Sequence, residues 1–139
     1  TNHVESALCF NVGQGHIPLF VIKHFGLKNI YLTDRNLLSL KTSQHNLAKY
    51  QIESKAEHSV FPSGEGNFDF IAGTIPEKQA QGVYETFIQS INADLRPGAK
   101  AVIASTSTTI ARIEDTLKSY FEILSSEKEK GNVALIMRK

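Results

Sequence analysis

Two stretches of the sequence carry residues whose types and spacing could bind a nucleotide-like ligand. In the first, Ser6–Gly15, an apolar run breaks into Asn11-Val12-Gly13-Gln14-Gly15. Glycines suit such a turn because no Cβ keeps a ligand away from the backbone. The second is Asp34, which follows Gly15 at about the 20-residue distance where a nucleotide-binding βαβ unit places an acid against ribose hydroxyls. A carboxylate suits that role because it accepts hydrogen bonds from both hydroxyls of a diol.

Each of these features also has a purely structural interpretation, which the sequence leaves open. Gly13-Gln14-Gly15 could be a tight strand-to-helix turn that needs positive φ and binds nothing, since a lone G-x-G is a weak motif. Asp34 could cap the helix that follows it, and the cap and ligand roles are compatible. The pattern therefore predicts a candidate ligand site, and it leaves open whether these residues bind a ligand or only shape the turn and the helix.

The apolar patterning predicts the elements that must position these residues. Ser6–Val12 is typical of a buried strand, and Ile17–Phe25 has helical spacing that stops at Gly26. Further strands are predicted at Asn29–Thr33, His58–Phe61, Phe68–Gly73, Ala99–Ala104, Phe121–Leu124 and Val133–Met137. Further helices are predicted over Asn36–Tyr50, from Thr74–Glu77 to about Leu95, and over Ile110–Ser119. The buried side of the second helix is predicted to hold Leu37, Leu38, Leu40, Leu47 and Tyr50.

This order of elements, β α β α β β α β α β β, predicts an α/β fold. We expect a Rossmann-like, seven-stranded, mostly parallel sheet in the order 3-2-1-4-5-7-6, with helices on both faces. Strand Ser6–Val12 is expected to be central, and Val133–Met137 antiparallel between its neighbours. The polar segments Arg96–Gly98 and Ser125–Asn132 are predicted to be a turn and a hairpin loop.

Composition and charge exclude several classes of function. The 139 residues are enough for one domain, and a net charge of +1 gives no overall attraction to nucleic acid or membrane. No run of about 18 apolar residues and no signal-peptide pattern occurs, which predicts no membrane span and a cytoplasmic location. The single cysteine, Cys9, is expected to be a small buried hydrophobe, and no metal site is predicted. Because Thr1 lies so close to a core strand, we interpret the chain as a fragment.

The residues at the strand ends resemble those of class I S-adenosylmethionine-dependent methyltransferases, over essentially the whole chain. These enzymes usually carry acid-x-Gly-x-Gly after strand one, an acid ending strand two, Phe-Asp in strand four and Leu-x-Pro-Gly-Gly before strand five. The corresponding segments are Asn11–Gly15, Asp34, Phe68-Asp69 leading to Gly73–Pro76, and Leu95–Ala99. Val60-Phe61, a loop of six residues, Phe68-Asp69 and the closing hairpin are similar to the small-domain methyltransferases that modify guanine in ribosomal RNA.

The resemblance implies S-adenosylmethionine as the cofactor and assigns residues to its parts. The implied cofactor-binding residues are Asn11, Gly13, Gln14 and Gly15 at the methionine part, Asp34 at the ribose, Ser59 and Phe61 near adenine, Gly73 beside the methyl group, and Arg35. Thr74, which also borders the methyl group, is the implied catalytic residue. The implied methyl acceptor is RNA or a small molecule.

The sequence also departs from the pattern of that family at four places. Asn11 replaces the usual acid, Ile17 stands where many members have a third glycine, and Ser59 replaces an acid or amide. Thr74-Ile75-Pro76-Glu77 replaces the Asn/Asp-Pro-Pro-aromatic loop of base N-methylators, in which the aromatic side chain stacks on the base.

These departures leave three alternative functions open. The first is a catalytically degenerate domain that serves as a binding or assembly module, which the changes at Asn11 and in the loop favour. The second is a nicotinamide-dependent oxidoreductase, although Pro18 occupies the third glycine position of its motif. The third is a cobalamin-pathway methyltransferase, a family that has no Pro-Pro-aromatic loop.

Overall fold

The computed structural model describes residues 3–13, 16–62 and 66–139, which form strands and helices. The strands are β1 (Ala7–Phe10), β2 (Asn29–Asp34), β3 (Glu53–His58), β4 (Phe68–Thr74), β5 (Leu95–Thr106), β6 (Glu122–Glu129) and β7 (Asn132–Arg138). The helices are α1 (His16–Phe25), α2 (Leu37–Ala48), α3 (Gln81–Asp94) and α4 (Ser107–Tyr120). None of the helices within these ranges has the length and apolar character needed to cross a lipid bilayer.

The strands form one sheet, and its topology confirms the predicted fold. The sheet has seven strands in the order β3-β2-β1-β4-β5-β7-β6. The pairs from β3 to β5 are parallel, whereas β7 runs antiparallel to both β5 and β6. The central position of β1, between β2 and β4, is therefore confirmed, as is the antiparallel hairpin that closes the chain.

The two faces of the sheet bury separate apolar clusters because side chains alternate along each strand. In β1, Leu8 and Phe10 pack in the cluster that contains residues of α3 and α4. Ala7 and Cys9 pack in the cluster that contains residues of α1 and α2. Cys9 is fully buried as predicted, and this burial raises the pKa of its thiol, so the nucleophilic thiolate is disfavoured.

The predicted position of the third strand is wrong. The strand lies at Glu53–His58, before the predicted segment His58–Phe61, and pairs with β2 from Asn29↔Glu53 to Asp34↔His58. β3 is an edge strand whose side chains are mostly exposed. It is held in the sheet by backbone hydrogen bonds, so its sequence does not need an apolar run. The apolar pair Val60-Phe61, which suggested a strand, belongs to the turn after β3.

The buried side of α2 also differs from the predicted one. Leu37, Leu38 and Tyr50 are 46%, 74% and 57% exposed. The buried residues of the helix are Leu40, Ser43 and Leu47. These three follow the helical spacing of three and four residues, and a polar serine replaces an apolar residue in the middle of that stripe.

Three other boundaries differ from the predicted ones, two of them because backbone pairing extends into polar sequence. α3 begins at Gln81, several residues after the predicted start in Thr74–Glu77. β5 includes the predicted turn Arg96–Gly98, with a register irregularity against β4. The hairpin loop predicted over Ser125–Asn132 is mostly strand, and the connection is Lys130-Gly131, with φ values of 49° and 82°. Positive φ at both central residues is typical of the type I′ turn that suits the twist of a hairpin.

Asp69 ties the beginning of β4 to its neighbours on both sides. One carboxylate oxygen accepts hydrogen bonds from the backbone N–H groups of Glu5 (3.0 Å) and Ser6 (3.2 Å). The other oxygen lies 2.7 Å from Nη1 of Arg96. Burial by itself raises the pKa of Asp69. The two N–H groups and the guanidinium together lower it by more than burial raises it, so the pKa lies below its usual range.

This lowered pKa predicts a contribution of Asp69 to the stability of the fold in acid. Because the folded-state pKa is below the unfolded value of about 3.9, the contribution is fully present above about pH 4. It is lost as the pH falls through the folded-state pKa. We expect Asp69→Asn to lower the free energy of unfolding at pH 7 by about 1–3 kcal/mol. Urea unfolding from pH 7 to pH 2 should show a smaller acid-dependent loss in the variant; equal acid dependence would contradict this role.

Candidate functional site

The predicted site residues meet at the carboxyl edge of the sheet, where β1, β2 and β4 end side by side. Phe10 of β1 is paired with Thr33 of β2 and with Gly73 of β4. β1 lies between β2 on one side and β4 on the other, so the order of the strands along the chain reverses at β1. Such a topological switch point is where open α/β sheets bind ligands. The predicted residues Gln14 and Gly15 lie outside the described residues.

Asp34 is buried and joins the glycine turn to the beginning of α2. Its Oδ2 accepts a hydrogen bond from Gly13 N at 3.2 Å, and its Oδ1 accepts one from Asn36 N at 2.8 Å. The residue that caps α2 is Asn36, whose side chain accepts from Ser39 N at 3.1 Å. The alternative prediction that Asp34 is the helix cap is therefore wrong.

The carboxylate of Asp34 still has capacity for a ligand. An ionised carboxylate offers about four acceptor positions on its two oxygens. The N–H groups of Gly13 and Asn36 occupy one position on each oxygen. No other described residue donates to this carboxylate, and the two further acceptor positions match a pair of vicinal hydroxyls, so the acceptor set at Asp34 fits a ribose.

Gly13 leaves its backbone open at the same edge. Its φ is +56°, and a Cβ built on it would meet no atom within 4 Å. The residue is exposed, so a ligand can approach this backbone closely. Its carbonyl oxygen accepts a hydrogen bond of 3.0 Å from Oγ of Ser43 on α2.

Ser43 is a residue of this site that the sequence did not predict. Its side chain is fully buried, although serine is more often exposed. The one local signal for it was a polar residue within the apolar stripe Leu40, Ser43 and Leu47. That signal does not identify the hydrogen-bond partner of Ser43, because Gly13 lies 30 positions away in the sequence.

Asn11 joins the end of β1 to the end of β4. Its side-chain amide donates a hydrogen bond of 2.8 Å to the carbonyl oxygen of Thr74. The Thr74 hydroxyl lies 3.5 Å from the carbonyl oxygen of Asn11. An ionised carboxylate at position 11 has no proton to donate to that carbonyl. The amide of Asn11 therefore makes a bond in this chain that an ionised carboxylate could not make.

We expect the substitution Asn11→Asp to destabilise the fold, because it places a carboxylate against the carbonyl oxygen of Thr74. The free energy of unfolding should fall by about 1–3 kcal/mol at pH 7. Part of the loss should be recovered relative to the wild type in acid, where a protonated carboxyl group donates again. Urea unfolding of wild type and variant at pH 7 and pH 4 measures both effects. Asn29→Asp, at an exposed position, is the control, and an equal effect at both positions would contradict the role of the amide.

Gly73 makes room for a neighbouring side chain. A Cβ built on Gly73 would lie 2.6 Å from ring atoms of Phe10 and closer still to the Phe10 carbonyl oxygen. Such an approach is far inside van der Waals contact, so every other residue would push the strands apart. The packing of β1 against β4 explains this glycine without a ligand, and its cofactor role stays a prediction.

The turn after β3 brings Ser59 and Phe61 next to Asp34. Ser59 N donates to the carbonyl oxygen of Asp34 at 3.0 Å, and the Ser59 hydroxyl donates to the carbonyl oxygen of Phe61 at 2.9 Å. The half-buried ring of Phe61 packs edge-on against Phe87 with 5.0 Å between centroids. Arg35 is exposed, and its carbonyl oxygen lies 2.9 Å from Nε2 of His58. The adenine contacts of Ser59 and Phe61 and the cofactor contact of Arg35 stay predictions.

The loop after β4 is held by bonds to the neighbouring strands. Ile75 N donates to the carbonyl oxygen of Ala104 at 2.9 Å, and the Ser105 hydroxyl donates to the carbonyl oxygen of Ile75 at 2.8 Å. Asn11 donates to the carbonyl oxygen of Thr74, so the carbonyl oxygens of two consecutive residues, Thr74 and Ile75, both accept hydrogen bonds from side chains of this chain. Thr74 is therefore fixed at the end of β4, where its carbonyl oxygen is bonded to the side chain of Asn11.

Thr33 presents a buried hydroxyl that has no hydrogen-bond partner among the described residues. It is 1% exposed and points to the face of β2 opposite to Asp34. We expect Thr33→Val to leave the free energy of unfolding unchanged or to raise it by up to about 1 kcal/mol, because no bond is lost. Thr109→Val, which removes an acceptor for Thr106, should be destabilising in the same thermal unfolding assay. A destabilised Thr33→Val would show that the hydroxyl has a partner.

Comparison with solved structures identifies the fold that carries this site. No protein-family model and no curated protein matches the chain. An S-adenosylmethionine-dependent methyltransferase from Clostridium acetobutylicum gives a TM-score of 0.83 at 10% identity, over 99% of this chain and 85% of that chain. The fold is that of the S-adenosylmethionine-dependent methyltransferases. The resemblance that the strand-end residues predicted is thus confirmed at the level of the fold.

Two further neighbours with this fold are methyltransferases whose names refer to a ribosomal protein and to ribosomal RNA. The ribosomal protein L11 methylase from Lactobacillus delbrueckii subsp. bulgaricus gives a TM-score of 0.79 at 19% identity, over 96% of this chain and 70% of that chain. The T. thermophilus 16S rRNA N2 G1207 methyltransferase RsmC, in complex with AdoMet and guanosine, gives 0.78 at 22% identity. That match covers 98% of this chain and 38% of the RsmC chain.

Proposed function

We propose that this chain is an S-adenosylmethionine-dependent methyltransferase domain whose cofactor site is the carboxyl edge of β1, β2 and β4. The observation that carries the proposal is Asp34, a buried carboxylate that keeps two acceptor positions unused by the described residues, beside the open backbone of Gly13. The neighbour RsmC, which has the same fold, was solved with AdoMet. The acceptor in this proposal is RNA or a small molecule.

The described residues fit the adenosine and methionine parts of this cofactor. Asp34 would accept hydrogen bonds from both ribose hydroxyls, and Gly13 would face the methionine part. The turn that holds Ser59 and Phe61 lies next to Asp34 through the bond from Ser59 N to the Asp34 carbonyl, on the side assigned to adenine. Arg35, exposed beside the acid, would border the ribose.

The chemistry asks the protein mainly to position the reactants. S-adenosylmethionine supplies a methyl group that is already electrophilic, because it is bound to a sulfonium. The chain must hold a nucleophile in line with that group and exclude water. Thr74 is suited to this because Asn11 fixes its backbone at the end of β4, and its hydroxyl, which lies 3.5 Å from the Asn11 carbonyl oxygen, would border the reacting atoms. An amine nucleophile that loses its proton late needs no general base.

A second candidate is a module that binds or assembles without transferring a methyl group. The observation that favours it is the loop after β4, where the carbonyl oxygens of Thr74 and Ile75 accept bonds from Asn11 and Ser105. In base N-methylators the corresponding carbonyl holds the target amino group, and an aromatic residue stacks on the base. Glu77 at the position of that aromatic residue cannot stack.

Calorimetry and a transfer assay separate these candidates. S-adenosylmethionine and S-adenosylhomocysteine are each titrated into the chain, and saturable heat below about 1 mM is expected. Transfer of a labelled methyl group is then measured with total RNA and with a small-molecule extract as acceptors, using Thr74→Ala as the comparison. Binding with transfer that falls in Thr74→Ala supports the enzyme, and binding with no transfer favours the module. No heat at millimolar ligand would overturn the proposed cofactor site.

A further inference from the structure

We propose that the cavity between α1 and the half-exposed face of β5 and β7 is a second ligand site, which binds a small aromatic carboxylate. The cavity has a volume of about 730 Å³, which is within the range of sites for small molecules. It lies at the beginning of β4 and β5, whereas the proposed cofactor site is at the carboxyl edge of the sheet. The two sites are separate, so this inference does not depend on methyl transfer.

The cavity exists because the helices on this face of the sheet cover the other strands. α1 packs on β1, β2 and β4, and α2 packs on β2 and β3. Val102 of β5 and Ile136 of β7 are paired with each other, stay half-exposed and line the cavity. An apolar sheet face is normally buried against another layer, and a ligand with an apolar body would supply that cover.

α1 contributes an aromatic wall to the cavity. Phe20 is 69% exposed, and its ring is stacked on that of His24 with 5.8 Å between centroids. Phe25 is half-buried and packs against Phe70 of β4, with 4.8 Å between centroids. All four of these residues line the cavity. Ring surfaces of this kind favour a planar aromatic body in the ligand.

The sheet contributes positive charge. Lys100 of β5 lines the cavity, and Arg138 of β7 is directly opposite it in the sheet. Both residues are half-buried, and neither forms an ion pair with a carboxylate of the described residues. Like charges directly opposite each other destabilise a sheet. A bound carboxylate would relieve this repulsion, which is the reason for assigning an anion to the site.

The nearest acidic groups do not neutralise this pair of cations. Asp69 also lines the cavity, but its carboxylate is paired with Arg96 at 2.7 Å and accepts two backbone N–H groups. Glu122 of β6 is opposite Arg138 in the sheet and exposed, and the two form no ion pair. The charge of Asp69 is balanced by Arg96, so Lys100 and Arg138 leave an excess of positive charge at the cavity.

Two probes with the same ring and opposite charge test the proposal. We expect 2-naphthoate to bind with a dissociation constant below about 1 mM, and 2-naphthylmethylamine to bind at least about tenfold more weakly. Lys100→Gln should weaken binding of naphthoate by about five- to tenfold, because a hydrogen bond to a charged group is lost. The same substitution should leave binding of the amine unchanged or strengthen it. Calorimetric titration measures all four affinities.

A matched charge removal and a local probe guard this result. Lys41→Gln removes the same charge from an exposed position on α2 and should change neither affinity. In NMR spectra, naphthoate should shift the backbone amide signals of Phe25 and Val102, at the cavity. The signals of Asp34 and Gly73, at the carboxyl edge of the sheet, should not move. Lys100→Gln should be at least as stable as the wild type in thermal unfolding, because the substitution removes a repulsion.

The outcomes separate a ligand site from its alternatives. Saturable binding of naphthoate that weakens in Lys100→Gln and not in Lys41→Gln, with shifts at the cavity, supports the inference. Equal affinity for the two probes, shifts at the carboxyl edge, or no binding would each overturn it and leave the proposed function untouched. If naphthoate does not bind and sedimentation shows a dimer that Ile136→Glu dissociates, a second copy of the chain covers this face instead.

Discussion

Replacing Asp34 by alanine is expected to weaken binding of S-adenosylhomocysteine by about ten- to a hundredfold. The substitution removes the acceptor of both ribose hydroxyls, and hydrogen bonds to a charged group are worth roughly 1.5–3 kcal/mol. Each 1.4 kcal/mol corresponds to about tenfold in affinity. Calorimetric titration of wild type and variant measures the change.

The structure adds a loss of stability that the sequence alone did not predict. From the sequence we expect Asp34→Ala to change folding little, apart from about 1 kcal/mol if the side chain caps the helix. The carboxylate instead accepts the N–H groups of Gly13 and Asn36. Leaving these donors without a partner should lower the free energy of unfolding by about 1–3 kcal/mol. Asp115→Ala, on α4 in an exposed position, is the matched control and should change neither quantity.

Because Asp34 also shapes the glycine turn, a ligand without the diol is needed to isolate its contact with the ribose. The wild type should prefer methylthioadenosine to its 2′,3′-dideoxy analogue, and this preference should disappear in Asp34→Ala. If the preference persists while the free energy of unfolding falls, Asp34 serves only to tie Gly13 to α2, and its predicted ribose role is wrong.

Replacing Gly73 by alanine is expected to lower the free energy of unfolding by about 3 kcal/mol, the largest effect on stability among these substitutions. The new Cβ would lie 2.6 Å from ring atoms of Phe10, and the Phe10 carbonyl oxygen would be closer still. The backbone oxygen cannot turn away as a flexible side chain would, so β1 and β4 must separate. For a domain of this size the melting temperature should fall by about 10 °C.

Gly82→Ala provides the matched control for this substitution. Gly82 lies in α3, and a Cβ built there would meet no atom within 4 Å. Since alanine favours a helix over glycine, this variant should gain about 0.5–1 kcal/mol. Thermal unfolding of both variants is the measurement. A Gly73→Ala protein as stable as the wild type would show that β1 and β4 can separate at little cost.

The sequence by itself determined the topology and the edge of the sheet at which the candidate site lies. Apolar runs such as that of β1 have to be buried on both faces, and glycine turns mark where they end. Each helix that connects two parallel strands must form a right-handed crossover, and this rule leaves few possible orders of the strands in the sheet. For the same reason Asp34 and the glycine turn were found from spacing, because both lie within one local βαβ unit.

Only the tertiary structure decided β3, the function of Asn11 and the partner of Ser43. β3 is a polar edge strand that pairs through its backbone, which leaves no apolar pattern to recognise. Asn11 donates to Thr74, which is 63 positions away, and Ser43 donates to Gly13, which is 30 positions away. A hydrogen bond between distant residues leaves no periodicity in the sequence, because its partner is set by which strands and helices become neighbours when the sheet is complete.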